Sequence, residues 1–303
     1  MSINDHIEID ISLATPADYF ALMKPRVMRL VVFTALVGML LAPGSVDPVL
    51  GLIAIVCIAI GAGASGALNM WYDADIDSVM SRTTNRPIPS GRVTGDQALN
   101  FGMVLSVLSV MTLGLLVNWL AAAILAFTIV FYAVIYTMWL KRSTPQNIVI
   151  GGLFGAAPPL FGWTAVTGSV DGGGLLLVLI IFAWTPPHFW ALAIDRMEEY
   201  RDVDIPMLPV THGAHYTKVH ILLYTIIMVI TSVLPFVIGM SNILYLISAL
   251  ALGAGFIYWA LVMLLTDDEK APMETFRYSI FYLMALFVAL LVDHYLFPVT
   301  YIA

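Results

Sequence analysis

Nine apolar stretches, each close to the length that crosses a lipid bilayer, leave this chain few ways to fold. They run Val27–Leu41, Val49–Leu68, Ala98–Val117, Leu120–Leu140, Ile148–Val166, Leu175–Ile194, Val219–Gly239, Ile243–Leu265 and Tyr278–Phe297. A hydrocarbon core of about 30 Å takes about 20 apolar residues as a helix. Only 11% of residues are charged and the mean hydropathy is +0.93, whereas a soluble domain is about 25% charged. A membrane barrel needs alternating segments of about ten residues, and the sequence has none. The expected fold is therefore all-α: a polytopic membrane protein of about nine transmembrane helices.

The links between spans alternate in character. Ala42–Pro48, Asn118–Trp119, Gly168–Gly174 and Met240–Asn242 are short and carry no Lys or Arg. Trp71–Gln97, Lys141–Asn147, Asp195–Lys218 and Thr266–Arg277 are polar and mostly longer. With nine spans, all 13 Lys and Arg residues fall on the side of the N-terminus. The positive-inside rule makes that side cytoplasmic, which sends Pro298–Ala303 to the periplasmic face of a bacterial inner membrane. Residues 1–22 are acidic, lack the basic start of a signal peptide, and read as a cytoplasmic tail. Residues 23–303 read as one transmembrane domain, since no linker is long enough to join a second. Cys57 lies mid-span and implies no disulfide. The net charge of −7 is a sum over segregated charges, and no feature calls for a nucleic-acid partner.

One stretch stands out against this apolar background: Asn69-Met-Trp-Tyr-Asp73-Ala-Asp75-Ile-Asp77, followed by the basic segment Arg82 to Arg92. Asn69, Asp73 and Asp77 recur at i, i+4 and i+8, a drift of about 40° per step on a helix, so they share a face. Asp75 falls on the opposite side. Ionisable groups where an apolar helix leaves a membrane are costly, and the default reading is a functional site. A second acidic pair, Asp195 and Glu199, stands at the end of the sixth span, again four residues apart. An acidic loop is commonly a solvated cap. Two carboxylate pairs on one side, each at a helix end, instead suit Mg²⁺, which takes a few protein oxygens and fills its shell with water and phosphate. Arg82, Arg86, Lys141, Arg142 and Arg196 offer donors to the remaining oxygens of a diphosphate.

The string Asn69-xxx-Asp73-xxx-Asp77 with Asn85-Arg-Pro-Ile-Pro-Ser-Gly-Arg92 resembles the first signature of the UbiA superfamily of intramembrane prenyltransferases, closest to its haem-farnesylating branch. Tyr136–Gly152, Gly155–Trp163, Trp184–Ile194 and Ile205–Val210 look like the same family, so distinctive motifs cover roughly Lys24 to Val210. Many members carry a longer aspartate-rich second motif. Here its last acidic position is Glu199, and His188 with Pro186-Pro187 occupies the upstream part.

The resemblance implies a UbiA-like bundle, with farnesyl diphosphate as donor and haem b as acceptor substrate. It implies Mg²⁺ on Asp73, Asp77, Asp195 and Glu199, with Asn69 beside them. Haem A synthase or terminal oxidase assembly factors would receive the product. His188 is either a satisfied helix-interface group or a group that orients haem. His212, His215 and His220 read as loop histidines rather than a metal site. Trp71, Tyr72, Tyr136, Trp163 and Trp184 are candidates to face an allylic cation, with packing an equal explanation. The small residues from Gly61 to Ala67, and Gly151, Gly152, Gly155, Ala156 and Ala157, allow close helix packing or leave room for a substrate. Two other readings stay open: a prenyltransferase for another aromatic acceptor such as 4-hydroxybenzoate, and a transporter or channel. The latter expects charges deep in the spans, which carry almost none apart from Asp293 near the outer end of the ninth.

Overall fold

In lipid, every backbone polar group has to be satisfied within its own segment, so each apolar run closes into helix. The computed structural model describes residues 14–297. Its order is α1 (Pro16–Leu22), α2 (Pro25–Leu41), α3 (Pro48–Tyr72), α4 (Ala74–Val79), α5 (Gly95–Leu116) and α6 (Trp119–Val130). A π-helical segment (Phe131–Leu140) runs into α7 (Lys141–Ser143), then α8 (Asn147–Gly155), α9 (Pro158–Thr167), α10 (Gly172–Asp195) and α11 (Met197–Asp202). The chain ends with α12 (Leu208–His212), α13 (Ala214–Val237), α14 (Ile243–Leu265) and α15 (Ala271–Leu296). No strand occurs among the described residues.

Among the described residues, eight helical runs are long and apolar enough to cross a bilayer, with Trp119–Ser143 and Asn147–Thr167 each counted as one. The remaining expected span is α2, whose 17 residues reach about 25 Å at 1.5 Å per residue. It packs along α9 and α3 inside the bundle. Several boundaries differ from the sequence reading, among them the start of α15 at Ala271 rather than Tyr278. The fifth span breaks after Gly155, and Pro158, which has no N–H, starts α9. Lys141 and Arg142 lie in the last helical turn rather than in a loop. Residues 214–218 already belong to α13.

Glycines set the closest approaches. A Cβ at Gly38 would lie 2.0 Å from the Pro159 carbonyl oxygen, and one at Gly162 only 1.9 Å from that of Ala35. The α2–α9 contact is thus backbone against backbone. Gly63 and Gly66 face Met23 and Leu22, Gly151 faces Tyr136 and Gly152 faces Thr185. At these positions the small residues serve packing. Gly155 alone of that set looks into open space.

Asp293, fully buried, accepts from the Asn242 N–H at 2.5 Å and the Tyr245 N–H at 3.1 Å. It caps the start of α14, so this charge near the outer end of α15 serves a helix end. A third apolar cluster joins the loops at the other end: Ile76 and Met80 pack with Trp190, Tyr200, Ile205 and Leu208. This cluster brings the two acidic segments together.

Gly162→Ala is expected to destabilise the bundle by about 1–3 kcal/mol or more through overpacking. Thermal unfolding in detergent should show a lowered midpoint for this variant and a near-native one for Gly155→Ala.

Candidate active site

α3 is apolar until Asn69 and stops at Tyr72, where Asp73 caps it. The spacing nevertheless survives the break, because Asp73 N–H donates to the Asn69 carbonyl at 2.9 Å and Asp77 N–H to that of Asp73 at 2.8 Å. Asn69, Asp73 and Asp77 are buried at 5%, 1% and 3% exposure. Asp75 is off this face, as expected, and Arg142 grips it with two hydrogen bonds of 2.8 and 2.7 Å. Those bonds hold the Asp75 carboxyl below its ordinary range.

Buried carboxylates need cations, and the structure supplies one to each. Lys141 Nζ lies 2.6 Å from Asp73 Oδ2, and an Arg142 nitrogen 3.6 Å from Asp73 Oδ1. Arg86 meets Asp77 Oδ2 at 2.6 Å. Asn69 knits the group together: its Nδ2 donates to Asp73 Oδ2 at 2.8 Å and to Thr137 Oγ1 at 3.0 Å, while its Oδ1 accepts from Lys24.

Thr137 comes from the π-helical segment, where its hydroxyl donates to the Tyr132 carbonyl five residues back, at 2.8 Å. Wide turns of this kind gather at functional sites. Here one presents Thr137 to Asn69 and leads directly into Lys141. Tyr132 and Tyr136 on the same segment stack at 5.3 Å.

The second cluster straddles the junction of α10 and α11. Arg196 lies 3.1 Å from Asp195 Oδ2 and 2.8 Å from Glu199 Oε1. Ser81, in the loop after α4, donates to Glu199 Oε1 at 3.1 Å. Buried Tyr200 sits at this junction. Burial pushes its phenol up, while Arg82, Arg86 and Arg196 pull it the other way. Charges from both loops therefore converge on one place. Arg82 is exposed.

Among the described residues, no group of three or more His, Cys, Asp or Glu side chains converges as a ready metal cage. Two buried oxygens, Asp73 Oδ1 and Glu199 Oε2, have no hydrogen-bond partner. One orphaned carboxylate oxygen from each cluster is a donor set that fits Mg²⁺, which binds through one or two carboxylates and completes its shell with water and phosphate.

His188 is buried between Trp184 and Phe276, with ring centroids 4.1 and 4.6 Å away, and its Nδ1 lies 2.6 Å from Ser279 Oγ. It occupies a helix interface. Trp184 donates to the Ser279 carbonyl at 2.8 Å. Trp163 binds Asp171 at the opposite end of α10, at 2.8 Å, so it packs there and is remote from the carboxylates. Tyr72 lies under the Arg142 guanidinium at 4.9 Å, and Trp71 packs near Gly95. His212 stacks on Tyr216, and Tyr216 on His220. Sequence reasoning missed Lys24, Thr137 and Ser81. The residue before a proline is pushed out of the helical region, so Lys24-Pro25 carried a signal. Lys24 takes a left-handed φ of 53°.

The structure is that of a membrane protein: an apolar helical bundle that gathers carboxylates, lysines and arginines at one end. The chain belongs to the UbiA prenyltransferase family, whose sequence model matches residues 31–291. Its relatives include Protoheme IX farnesyltransferase of Rhizobium etli, 58% identical over 94% of this chain and 91% of that one. Protoheme IX farnesyltransferase 2 of Mesorhizobium japonicum is 56% identical over 97% and 96%. The fold is similar to that of a digeranylgeranylglyceryl phosphate synthase, with a TM-score of 0.76 at 20% identity over 91% of this chain and 97% of the other. It also matches a UbiA homologue of Archaeoglobus fulgidus bound to GPP and Mg²⁺, with a TM-score of 0.61 at 15% identity over 90% and 99%.

Thr137→Val, which removes the hydroxyl that accepts from Asn69 and donates to the Tyr132 carbonyl, is expected to lower kcat/KM about tenfold. Steady-state kinetics in detergent check this, and an unchanged kcat/KM would remove Thr137 from the site.

Proposed function

We propose that this protein transfers the farnesyl group of farnesyl diphosphate to a vinyl group of haem b, with addition of water, to give haem O. The observation that carries this is the high identity, along nearly the whole chain, to proteins named protoheme IX farnesyltransferase. The site supports it chemically. We read residues 23–303 as one transmembrane prenyltransferase domain.

Asp73 and Asp77 from one loop, and Asp195 and Glu199 from the other, would hold Mg²⁺. Mg²⁺ bound there supplies positive charge to the diphosphate as it leaves. Arg82, Arg86, Lys141, Arg142 and Arg196 donate to the phosphate oxygens. Lys141, Arg86 and Arg196 rest on carboxylates in the structure, so donor binding shifts them from carboxylate to phosphate.

The allylic C–O bond breaks with its electron pair staying on the diphosphate. The apolar bundle keeps the farnesyl cation from water, and the stacked Tyr132–Tyr136 pair offers an aromatic face. The vinyl π electrons form the new C–C bond. This leaves a cation on the carbon next to the porphyrin ring. Water adds there, a proton returns to solvent, and a hydroxyethylfarnesyl group results. His188, held by Ser279 through Nδ1, has Nε2 left to orient the haem.

The clustering of basic residues at the site end supports a cytoplasmic placement of that end in a bacterial inner membrane. The N-terminus would then be cytoplasmic and the C-terminus periplasmic, although residues 1–13 and 298–303 lie outside the described residues. Haem A synthase or terminal oxidase assembly factors are the recipients such a product requires.

Mass spectrometry after incubation with haem b and farnesyl diphosphate should detect hydroxyethylfarnesyl haem. Prenylated 4-hydroxybenzoate with unmodified haem would overturn the assignment. Asp73→Ala, or a chelator, is expected to abolish turnover while the protein still inserts in the membrane. Arg142→Ala should raise the KM for farnesyl diphosphate about tenfold or more, as loss of a charge-assisted hydrogen bond does.

A further inference from the structure

The phenol hydroxyls of Tyr132 and Tyr136 have no hydrogen-bond partner among the described residues. Yet both lie within Trp119–Ser143, a run long and apolar enough to cross a bilayer. Hydroxyls nearby behave otherwise: Thr34, Ser65, Thr137 and Thr185 each donate to a carbonyl of their own segment. A polar group in the bundle without a partner is costly, and Phe would fill either position without that cost. Both residues are only partly buried, so neither is sealed inside the packing. Two such hydroxyls, four residues apart on stacked rings, call for a polar ligand.

The π-helical register decides which way they face. An α-helix turns about 100° per residue, so it would carry Lys141 about 180° away from Tyr132. Bonding from i to i+5 widens the turn and stacks residues four and five apart. The Lys141 N–H donates to the Tyr136 carbonyl five residues back, as the Thr137 hydroxyl does to that of Tyr132. Tyr132, Tyr136, Thr137 and Lys141 are thereby gathered on one face. Two of them touch the carboxylate site: Thr137 accepts from Asn69 at 3.0 Å, and Lys141 lies 2.6 Å from Asp73. The charges of Asp73 and Asp77 act on Tyr132, and that of Asp73 acts on Tyr136.

α8 runs back along this segment. The Phe131 and Phe154 rings lie 3.8 Å apart, and a Cβ at Gly151 would stand 2.3 Å from the Tyr136 ring. That pairing sets Gly155 level with Tyr132, and a Cβ at Gly155 would meet nothing within 4 Å. Tyr136 is thus held against α8, while space stays open beside Tyr132.

We propose that the Tyr132 and Tyr136 hydroxyls hold the one water that the reaction consumes and deliver it to the second cation. The proposal rests on the haem-farnesylating reading above. The first step needs a dry bundle, because free water would capture the farnesyl cation. The second step needs a single water at the carbon next to the porphyrin ring. A phenol both donates and accepts, and as a neutral group it does not compete with the arginines for diphosphate. The water oxygen supplies the electron pair of the new C–O bond and sheds one proton, which leaves with the released diphosphate. With no water held there, the same cation loses a proton from the adjacent CH2 instead. That leaves an alkene, a product lighter by one water.

Mass spectrometry of the haem products formed by the full-length protein in detergent, from haem b and farnesyl diphosphate, tests it. The readout is the ratio of hydroxyethylfarnesyl haem to its dehydrated counterpart, which does not depend on the overall rate. The wild type is expected to give the hydrated product with one configuration at the hydroxyl carbon. Tyr132→Phe and Tyr136→Phe keep both rings, and each should lower the ratio about tenfold, the loss of one hydrogen bond. The hydrated remainder should then have mixed configuration. Phe variants that keep the wild-type ratio and configuration overturn the proposal. So does a wild type that forms both configurations equally, even if the variants fail to fold. An unchanged ratio with a raised KM for haem assigns the hydroxyls to acceptor binding and overturns it too. A wild type that makes no farnesylated haem overturns the activity itself, and this proposal with it.

Discussion

Asp73 is a carboxylate at 1% exposure that follows a long apolar run, and its burial is compensated first by Lys141 at 2.6 Å, with Asn69 and Arg142 beside it. An isolated charge in such surroundings would cost several kcal/mol. This single pairing constrains the elements around it. α7 has to end beside α3, the π-helical turns have to deliver Lys141 at the right depth, and Asn69 has to orient the carboxylate. Lys24 then fixes the start of α2 against Asn69. The helices could pack in other ways as apolar cylinders, and the polar contacts at this end select one arrangement.

The same pairing explains why the site is built from exchangeable contacts. Each of these carboxylates has an arginine or lysine as its counter-ion. On the proposed function, a metal-bound diphosphate would bring positive charge for the carboxylates and negative charge for the basic residues, and both sets would change partner together. The orphaned Asp73 Oδ1 and Glu199 Oε2 mark where the internal cations fall short of full satisfaction. Buried acceptors without partners are rare in folded chains, and each calls for an explanation.

The bundle and the carboxylates were legible in the sequence for a simple reason. Apolar length reports membrane spans directly, and Asn69, Asp73 and Asp77 keep their helical spacing even across the break at Asp73. Other parts were hidden because they depend on three-dimensional register. Nothing in Phe131–Leu140 announces a π helix, so the role of Thr137 could not be read. Ser81 acquires meaning only when its loop meets Glu199. The glycines of the third and eighth helices were ambiguous between packing and substrate space, and only their measured neighbours decide it. His188 looked equally suited to an interface and to a ligand, and its stacking between Trp184 and Phe276 places it at the interface, with one ring nitrogen accounted for.

A prenyl transfer makes two demands that conflict. The diphosphate needs charged groups and metal, while the allylic cation needs a place without water. A soluble enzyme has to build the dry region out of its own core. Here the bilayer-spanning helices provide it, and the charged groups are confined to one end, where Ile76, Met80, Trp190 and Tyr200 clamp the two loops together. The boundary between these regions falls within one helical turn, between Leu68 and Asp73. A lipid donor laid along α3 would have its leaving group among the cations and its first isoprene carbons already in the apolar bundle. Charge separation would then begin where it is stabilised and end where water is excluded.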